Sequence, residues 1–187
     1  MTLDEAQADA FRRLARGVAD RRAPCRNVVL ATSGADGHPS ARTVVLRGFD
    51  ASTRLLQLHS DVRTAKIEEI RAEPRTMVHA WDPHAQIQLR LAGRASLRLG
   101  AAARPDWDRL HPGSRATYAA ALRPGTPLAD PAAADRARLN PSEALLNFAV
   151  LDMAIDTLDW LHLARTGHRR ARFTWAGSTE TACWIVP

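Results

Sequence analysis

The sequence predicts a mainly β protein of the α+β class, in which about seven antiparallel strands form a small closed or half-closed barrel with helices outside it. Two observations predict this class. Apolar, β-branched segments with a period of two, separated by tight-turn residues, dominate residues 27–99 and 148–186. Helical periodicity is confined to residues 2–19, a short segment before Pro74, and the region 101–146. A length of 187 residues with 45% hydrophobic and 25% charged residues is ordinary for one globular domain.

Composition excludes several classes of protein. No apolar run reaches the roughly 18–20 residues of a membrane span, and no signal peptide follows Met1. Cys25 and Cys183 cannot form a disulfide framework or a four-ligand zinc site, and the seven histidines match no metal-ligand spacing. We therefore expect a cytoplasmic protein with no metal site and no membrane partner.

A formal net charge of +6 is commonly explained by one of three binding partners: nucleic acid, an anionic membrane or small anionic ligands. The basic residues are spread along the chain rather than grouped in one arm, which argues against a nucleic-acid partner. All but one of the 26 basic residues are arginines, and compositional bias is an alternative explanation of that excess. The exception, Lys66, is for that reason the basic residue most indicative of a site.

The first half of the chain has clear local signals. Residues 2–19 are predicted to form an amphipathic helix, with Thr2 and Glu5 as a capping box. A second helix is predicted over 61–73, with Ile67 and Ile70 on one face. Five strands are predicted between and after these helices, over residues 27–32, 39–49, 54–59, 75–81 and 85–99. A turn at 34–37 joins the first two of them.

The second half begins with a different composition. Residues 101–146 are rich in Ala, Pro and Arg, and they predict two or three short helices joined by a loop over 123–140. We interpret 101–146 as an insertion within one domain spanning 1–187, and such long connections are usually functional or interface elements. The predicted strands then resume over residues 148–155, 158–165, 169–175 and 181–186.

A basic and hydroxyl-rich cluster surrounds the first three strands. A predicted strand turns into a helix within the run 59–66, and a helix N-terminus offers unpaired N–H groups and partial positive charge. Cations placed there are favourable when an anion lies between them, so the pattern predicts a phosphate site, with a solvated loop as the alternative. Its candidate residues are Arg42, Arg47, His59, Ser60, Arg63, Thr64 and Lys66.

The two strand arginines raise a geometric question. Arg42 and Arg47 are five residues apart, so a regular strand would direct them to opposite faces. Both can contact one ligand only if a β-bulge intervenes or if one of them acts near the strand end.

These residues carry a resemblance to a known family. The stretch 31–94 resembles the pyridoxamine 5'-phosphate oxidase-like family of FMN-binding split β-barrels, through the strand Arg-Thr-Val-Val-Leu-Arg at 42–47, the turn Ser-Asp-Val-Arg-Thr-Ala-Lys at 60–66, and Gln88 before Gly93. Arg172-Phe173 and the closing Trp-Ile-Val-Pro resemble the family's last two strands. Pro-Gly-Ser-Arg at 112–115 with Tyr118, then Pro-Gly-Thr-Pro at 124–127, resemble a subfamily distinct from the true oxidases.

The resemblance implies a split barrel of six to eight strands and a homodimer with FMN at the subunit interface. It implies that Arg63, Thr64 and Lys66 hold the FMN phosphate, that Gln88 hydrogen-bonds the flavin ring, and that Arg172 comes from the partner subunit. The complete set of implied cofactor residues is Arg42, Thr43, Val44, Arg47, His59, Ser60, Arg63, Thr64, Lys66, Gln88 and Arg172.

Substrate residues depart from the oxidase pattern. The true oxidases carry an arginine and then a histidine at positions that here match His168 and Arg170, so the residue types are exchanged. We expect an FMN-dependent oxidoreductase with a small-molecule substrate other than vitamin B6, and no residue is assigned as a covalent catalyst. The alternatives are a flavin-binding sensor or carrier without turnover, and a haem-binding split barrel with His59 or His162 as the axial ligand.

Overall fold

The computed structural model describes residues 1–135 and 137–187, and it confirms the predicted fold class. Its single antiparallel sheet has the order β3-β2-β1-β4-β5-β6-β7-β8, and an additional pairing of β3 with β6 closes the first six strands into a barrel. The strands are β1 (Asn27–Ser33), β2 (Pro39–Asp50), β3 (Leu55–Asp61), β4 (Arg75–Asp82), β5 (Ile87–Leu99), β6 (Phe148–His162), β7 (Arg169–Ala176) and β8 (Thr179–Ile185).

The strand β6 corrects the prediction of two strands over 148–155 and 158–165. It is one continuous strand whose register on β5 shifts between Ala92 and Gly93, which leaves Asp156 as the extra residue. A Cβ atom on Gly93 would lie 1.9 Å from the carbonyl oxygen of Ala154, so this close approach requires glycine. The first half of β6 closes the barrel on β3, while the second half carries β7 and β8 outward.

The helix α1 (Leu3–Ala19) confirms the predicted amphipathic helix and its capping box. The Thr2 hydroxyl accepts from the Glu5 N–H, and the Glu5 carboxylate accepts from the Thr2 N–H. Its buried face packs onto the barrel core, where Trp160 is fully buried and donates its indole N–H to Asp9 at 2.9 Å.

The connection between β5 and β6 has a small core of its own. Trp107 and Phe148 pack there with their ring centroids 5.5 Å apart, beside Ala103, Ala144 and Val150. Its α-helices are α3 (Arg104–Arg109), α4 (Pro112–Arg115) and α5 (Pro141–Leu146). The predicted loop over 123–140 is less irregular than expected, because it contains a 3-10 turn at Pro131–Asp135 and a bridge between Ala120 and Arg138. Residue 136 of that loop lies outside the described residues.

The connection is joined to the barrel by Arg98. Its guanidinium lies 2.6 Å from a carboxylate oxygen of Asp106 in α3 and also bonds Asp152 of β6. Both carboxylates are buried, so the arginine neutralises charge that would be costly to bury unpaired.

The helix α2 (Ala65–Ala72) is shorter than the predicted 61–73, because Asp61 belongs to β3 and residues 62–64 form a turn. Ile67 and Ile70 are buried as expected. In the described residues, no helix combines the length and the apolar character needed to cross a membrane.

Candidate functional site

The largest concentration of predicted site residues lies where β2 and β3 diverge. The two strands pair only between residues 46–50 and 55–58. Beyond that point, β2 continues along β1 and β3 continues along β6, so each strand has an unpaired edge facing the other. A cleft of about 340 Å³ occupies the gap, and it is lined by Arg42, Thr43, Val44, Val45, Arg47, His59, Ser60, Asp61, Thr64, Lys66, Thr117, Tyr118 and Pro124.

A β-bulge resolves the orientation of the two arginines. Leu46 pairs with Leu58 and Gly48 pairs with Gln57, so Arg47 is the extra residue of the bulge. The bulge changes the side-chain alternation of β2, and Arg42 and Arg47 therefore line the same cleft. Of the two conditions under which both arginines could contact one ligand, the structure meets the first, a β-bulge between them.

Lys66 lies at the start of α2 in a nest of hydroxyl groups. Its ammonium donates to Ser60 Oγ and to Thr64 Oγ1, both at 3.1 Å. Among the described residues, no carboxylate oxygen lies within ion-pair distance of it. Burial lowers the pKa of Lys66, and the charge of Arg42 lowers it further. A bound anion would stabilise the charged ammonium and would therefore raise the pKa of Lys66 again.

The N-terminus of α2 is also available to a ligand. Thr64 is the N-cap residue, yet its hydroxyl makes no capping bond and donates instead to the Asp61 carbonyl at 2.7 Å. The first N–H groups of the helix thus keep their capacity to bind an anion beside the Lys66 ammonium.

Arg42 is held differently, by an ion pair inside the chain. Its guanidinium lies 2.7 Å from Glu69 of α2 and also contacts the Thr32 hydroxyl. Burial alone would raise the pKa of Glu69, but hydrogen bonds from Thr32 and Arg42 outweigh it and hold that pKa below its ordinary value. Arg42 therefore borders the cleft with its charge largely compensated.

Arg47 and His59 form a second polar group in the cleft. Arg47 makes no hydrogen bond or ion pair with any residue that the structure describes. Both ring nitrogens of His59 are buried and have no hydrogen-bond partner in the described part of the chain, and the ring packs edge-on against Phe148 at 4.9 Å. Burial, followed by the Arg47 charge, lowers the pKa of His59 to about 4, so the imidazole is neutral at physiological pH. It can offer one donor and one acceptor to a ligand.

Three cleft residues come from the β5–β6 connection, namely Thr117, Tyr118 and Pro124. None of them was a site residue in the sequence analysis, although Tyr118 and Pro124 lie in the motifs that pointed to a subfamily. Strand and helix periodicity carries no signal for them, because the packing of Tyr118 on Phe148 determines their placement.

Arg63 lies beside the cleft rather than on its lining. Its guanidinium pairs with Asp61 at 2.8 Å and donates to the carbonyls of Ala120 and Ala121 at 2.9 and 3.2 Å. The backbone carbonyl of Arg63 accepts in turn from Arg123 at 2.8 Å. These contacts attach the connection to the turn before α2, and the phosphate contact expected of Arg63 remains a prediction.

The other predicted residues lie on β5, on β7 or in the loop before β7, outside the cleft of this chain. Gln88 faces His79 at 3.2 Å, between β5 and β4. Arg170 forms a two-point ion pair with the buried Asp159, with distances of 2.9 and 2.8 Å, and Arg172 lies 3.4 Å from the same carboxylate. His168 is exposed at the tip of the β7 hairpin. The roles predicted for these four residues remain predictions.

Comparisons with known proteins agree with this fold and cleft. A family model described as pyridoxamine 5'-phosphate oxidase, FMN-binding domain, matches residues 9–98. The chain is 30% identical over 167 residues to pyridoxine/pyridoxamine 5'-phosphate oxidase 2 of Arabidopsis thaliana, which covers 84% of this chain and 83% of that protein.

Solved structures agree as well. A pyridoxamine 5'-phosphate oxidase-related, FMN binding protein from Nostoc punctiforme matches with a TM-score of 0.79 and 25% identity, over 96% of each chain. PhzG from Burkholderia lata, in complex with tetrahydrophenazine-1-carboxylic acid, matches with a TM-score of 0.76 over 96% of this chain and 91% of that chain. At 17% identity the second match is a likeness of fold alone.

The closed barrel with two extra strands, and with a cleft lined by basic and hydroxyl groups, defines the class, which is the split β-barrel. Within that class, the chain belongs to the pyridoxamine 5'-phosphate oxidase family. The resemblance inferred from the sequence is thereby confirmed.

Proposed function

We propose that this protein is an FMN-dependent oxidoreductase that holds its cofactor in the cleft between β2 and β3. The observation that carries the proposal is the pair of cations Lys66 and Arg47, which line one cleft and have no carboxylate partner among the described residues. Both cations are half-buried, and although the charges of Asp61 and Glu69 act on Lys66, neither carboxylate forms an ion pair with it. A cleft lined by two such cations suits a ligand with negative charge.

The residues present fit FMN. A phosphate dianion suits the Lys66 ammonium, the Ser60 and Thr64 hydroxyls and the uncapped N–H groups of α2. The orphaned ring nitrogens of His59 suit a ligand that has hydrogen-bonding groups along its length. When bound, FMN would supply the chemistry of hydride or electron transfer.

The chain's own residues would bind and orient the cofactor and exclude water from it. The unpaired edges of β2 and β3 offer backbone donors and acceptors, and the connection forms the opposite wall. Arg47 would place positive charge beside the ligand. We assign no covalent catalyst, because these binding and electrostatic roles suffice for the chemistry of a bound flavin.

A second copy of the chain would complete the site. One row of paired residues crosses the outer face of the sheet from the cleft to β7, and it consists of Thr43, Val29, His79, Arg90, Asp159 and Arg172. Five strand spacings of about 4.8 Å separate the ends of that row by roughly 24 Å along the sheet. Arg172 therefore reaches a cleft most directly when two copies pack face to face around a two-fold axis.

The substrate that we propose is a small molecule other than a vitamin B6 phosphate. Burial alone would raise the pKa of Asp159, but the Arg170 hydrogen bond and charge hold that pKa below its ordinary value. Because Arg170 is committed to this two-point pair, it is poorly available to a substrate phosphate. The 30% sequence identity to the Arabidopsis oxidase favours a competing candidate function, the oxidation of pyridoxine or pyridoxamine 5'-phosphate.

The absorption spectrum of the purified protein tests the cofactor. We expect a flavin spectrum, with FMN released on denaturation, whereas a Soret band would favour the haem alternative. A colourless protein that does not respond to added FMN would contradict the proposal.

Steady-state assays of the FMN-loaded protein test turnover and substrate. We expect oxidation of a reduced nicotinamide or another small donor, with little hydrogen peroxide released from pyridoxamine 5'-phosphate. Rapid peroxide release from that compound would replace our substrate proposal with the competing one. A loaded protein that turns over none of these donors would favour a flavin sensor or carrier.

A further inference from the structure

Tyr118 is a side chain of the cleft to which neither the sequence patterns nor the comparisons assign a role. It lies in the 3-10 turn Ala116–Ala119 of the β5–β6 connection, on the wall opposite β2. Its ring is fixed by edge-on contacts with Phe148 at 5.1 Å and with Trp107 at 5.9 Å. Asn147 also donates to its backbone carbonyl at 2.9 Å. The ring is therefore held in one position before any ligand arrives.

The hydroxyl group of Tyr118 makes none of the contacts that hold the ring. Among the described residues, none forms a hydrogen bond with the Tyr118 hydroxyl, although the ring that carries it is partly buried. Burial raises the pKa of Tyr118 to about 12, and the opposing effect of Arg47 is smaller. The hydroxyl consequently keeps its proton at any physiological pH and can donate a hydrogen bond.

The surroundings of the hydroxyl indicate which ligand it would meet. Just after Tyr118, the carbonyls of Ala120 and Ala121 are held by Arg63, in the turn that leads to Lys66. The connection is thus attached to the same turn whose hydroxyl groups surround the lysine. A ligand bound by Lys66 would lie between β2 and the Tyr118 wall.

We propose that Tyr118 donates a hydrogen bond to the bound cofactor, so that the β5–β6 connection supplies a binding residue to the barrel site. This assignment rests on the proposed function, because it takes FMN as the occupant of the cleft. The rigid aromatic packing places the donor in advance, so little conformational entropy is lost when the ligand binds.

The test compares FMN binding by the apo forms of the wild-type chain and of Tyr118→Phe. The substitution removes only the hydroxyl and keeps the ring contacts with Phe148 and Trp107. We expect the Kd for FMN to rise about three- to tenfold, which corresponds to the net free energy of one lost hydrogen bond. The control is Thr126→Val, which removes a hydroxyl from the same connection outside the cleft lining, where it donates to the Arg123 carbonyl at 2.7 Å.

Thermal unfolding of the apo proteins separates a binding role from a structural one. Because the Tyr118 hydroxyl makes no hydrogen bond within the described chain, we expect Tyr118→Phe to unfold at the wild-type temperature or slightly above it. Equal FMN affinity in Tyr118→Phe and wild type would overturn the role of Tyr118 but not the proposed function. An equal loss of affinity in Thr126→Val would have the same consequence. A wild-type protein that binds no FMN would overturn the proposed function as well.

Discussion

The imidazole of His59 lies in an environment that differs strongly from that of a free side chain. Both of its nitrogens are buried without a partner among the residues that the structure describes, and its pKa falls to about 4, from an ordinary value near 6.5. In the apo protein such a group contributes no hydrogen bond, so it is difficult to explain as a stabilising element. A ligand-contacting role explains it better, because a bound molecule could supply the missing hydrogen-bond partner.

The pKa of His59 predicts a dependence of stability on pH. Between pH 6.5 and pH 4, the unfolded chain binds a proton at this histidine that the folded chain does not bind, so its contribution to stability is lost as the pH falls. We expect the free energy of unfolding of the apo protein to fall between pH 7 and pH 5 by about 1 to 2 kcal/mol more in wild type than in His59→Gln.

Urea titrations of both apo proteins at the two pH values measure this difference. Other groups titrate in the same window, and the subtraction of the variant removes their contribution. Identical losses of stability in wild type and His59→Gln would show that the histidine titrates near its ordinary pKa and is less buried than described.

At the scale of elements, the bridge made by Arg98 links the connection to the barrel. Arg98→Met would leave Asp106 and Asp152 buried. Of the described residues, the exposed Arg109 would still pair with Asp106, and Gln57 would still donate to Asp152. We expect the variant to lose about 2 to 4 kcal/mol of unfolding free energy, since breaking a buried ion pair leaves uncompensated charge.

The matched control for this bridge is Arg104→Met, which removes the exposed pair with Asp108 at 2.9 Å in α3. An exposed pair of this kind contributes about 0 to 1 kcal/mol, so its loss should change stability little. Urea unfolding compares the two variants, and equal effects would mean that Arg98 does not join the connection to the barrel.

The elements differ in how far sequence predicts them. The capping box of Thr2 and Glu5 and the turn around Gly37, whose φ is +80°, are local signals, and both elements form as expected. The break predicted in β6 is wrong, because Asp156-Thr157 is typical of a turn, whereas pairing with β5 continues past it. That pairing is non-local, so no window of sequence around residue 156 reveals it.

The residues of the candidate site also differ in whether local sequence or tertiary packing places them. Lys66 and its hydroxyl neighbours follow from one contiguous turn, and the structure brings them together in the cleft. Tyr118 reaches the cleft only through tertiary packing on Phe148, so neither periodicity nor composition indicates it. Arg42 lies where expected, but its pairing with Glu69 joins β2 to α2 and could not be derived from either segment alone.

At the scale of the whole molecule, the proposed homodimer makes a prediction about complementation. If the partner subunit's Arg172 contacts FMN, a chain with Lys66→Met and a chain with Arg172→Met should form a mixed dimer with one intact site and one doubly altered site. We expect mixed dimers, isolated by two different tags, to bind about one FMN with wild-type affinity. Both parent proteins should bind it more weakly.

Equilibrium dialysis against FMN measures the stoichiometry of the mixed dimers. Binding no tighter than that of the parents would contradict a site shared between subunits. A monomeric mass in solution with FMN still bound would contradict it equally.

The central claim is that the Lys66 turn holds the phosphate of FMN, and the most direct test compares FMN with riboflavin, which lacks the phosphate. We expect the wild-type apo protein to prefer FMN, and Lys66→Met to lose about 1.5 to 3 kcal/mol of FMN affinity while its riboflavin affinity changes little. The control Arg12→Met removes an exposed cation of α1 and should leave both affinities unchanged. Equal affinity of the wild-type protein for FMN and riboflavin, or an unchanged preference in Lys66→Met, would contradict the account.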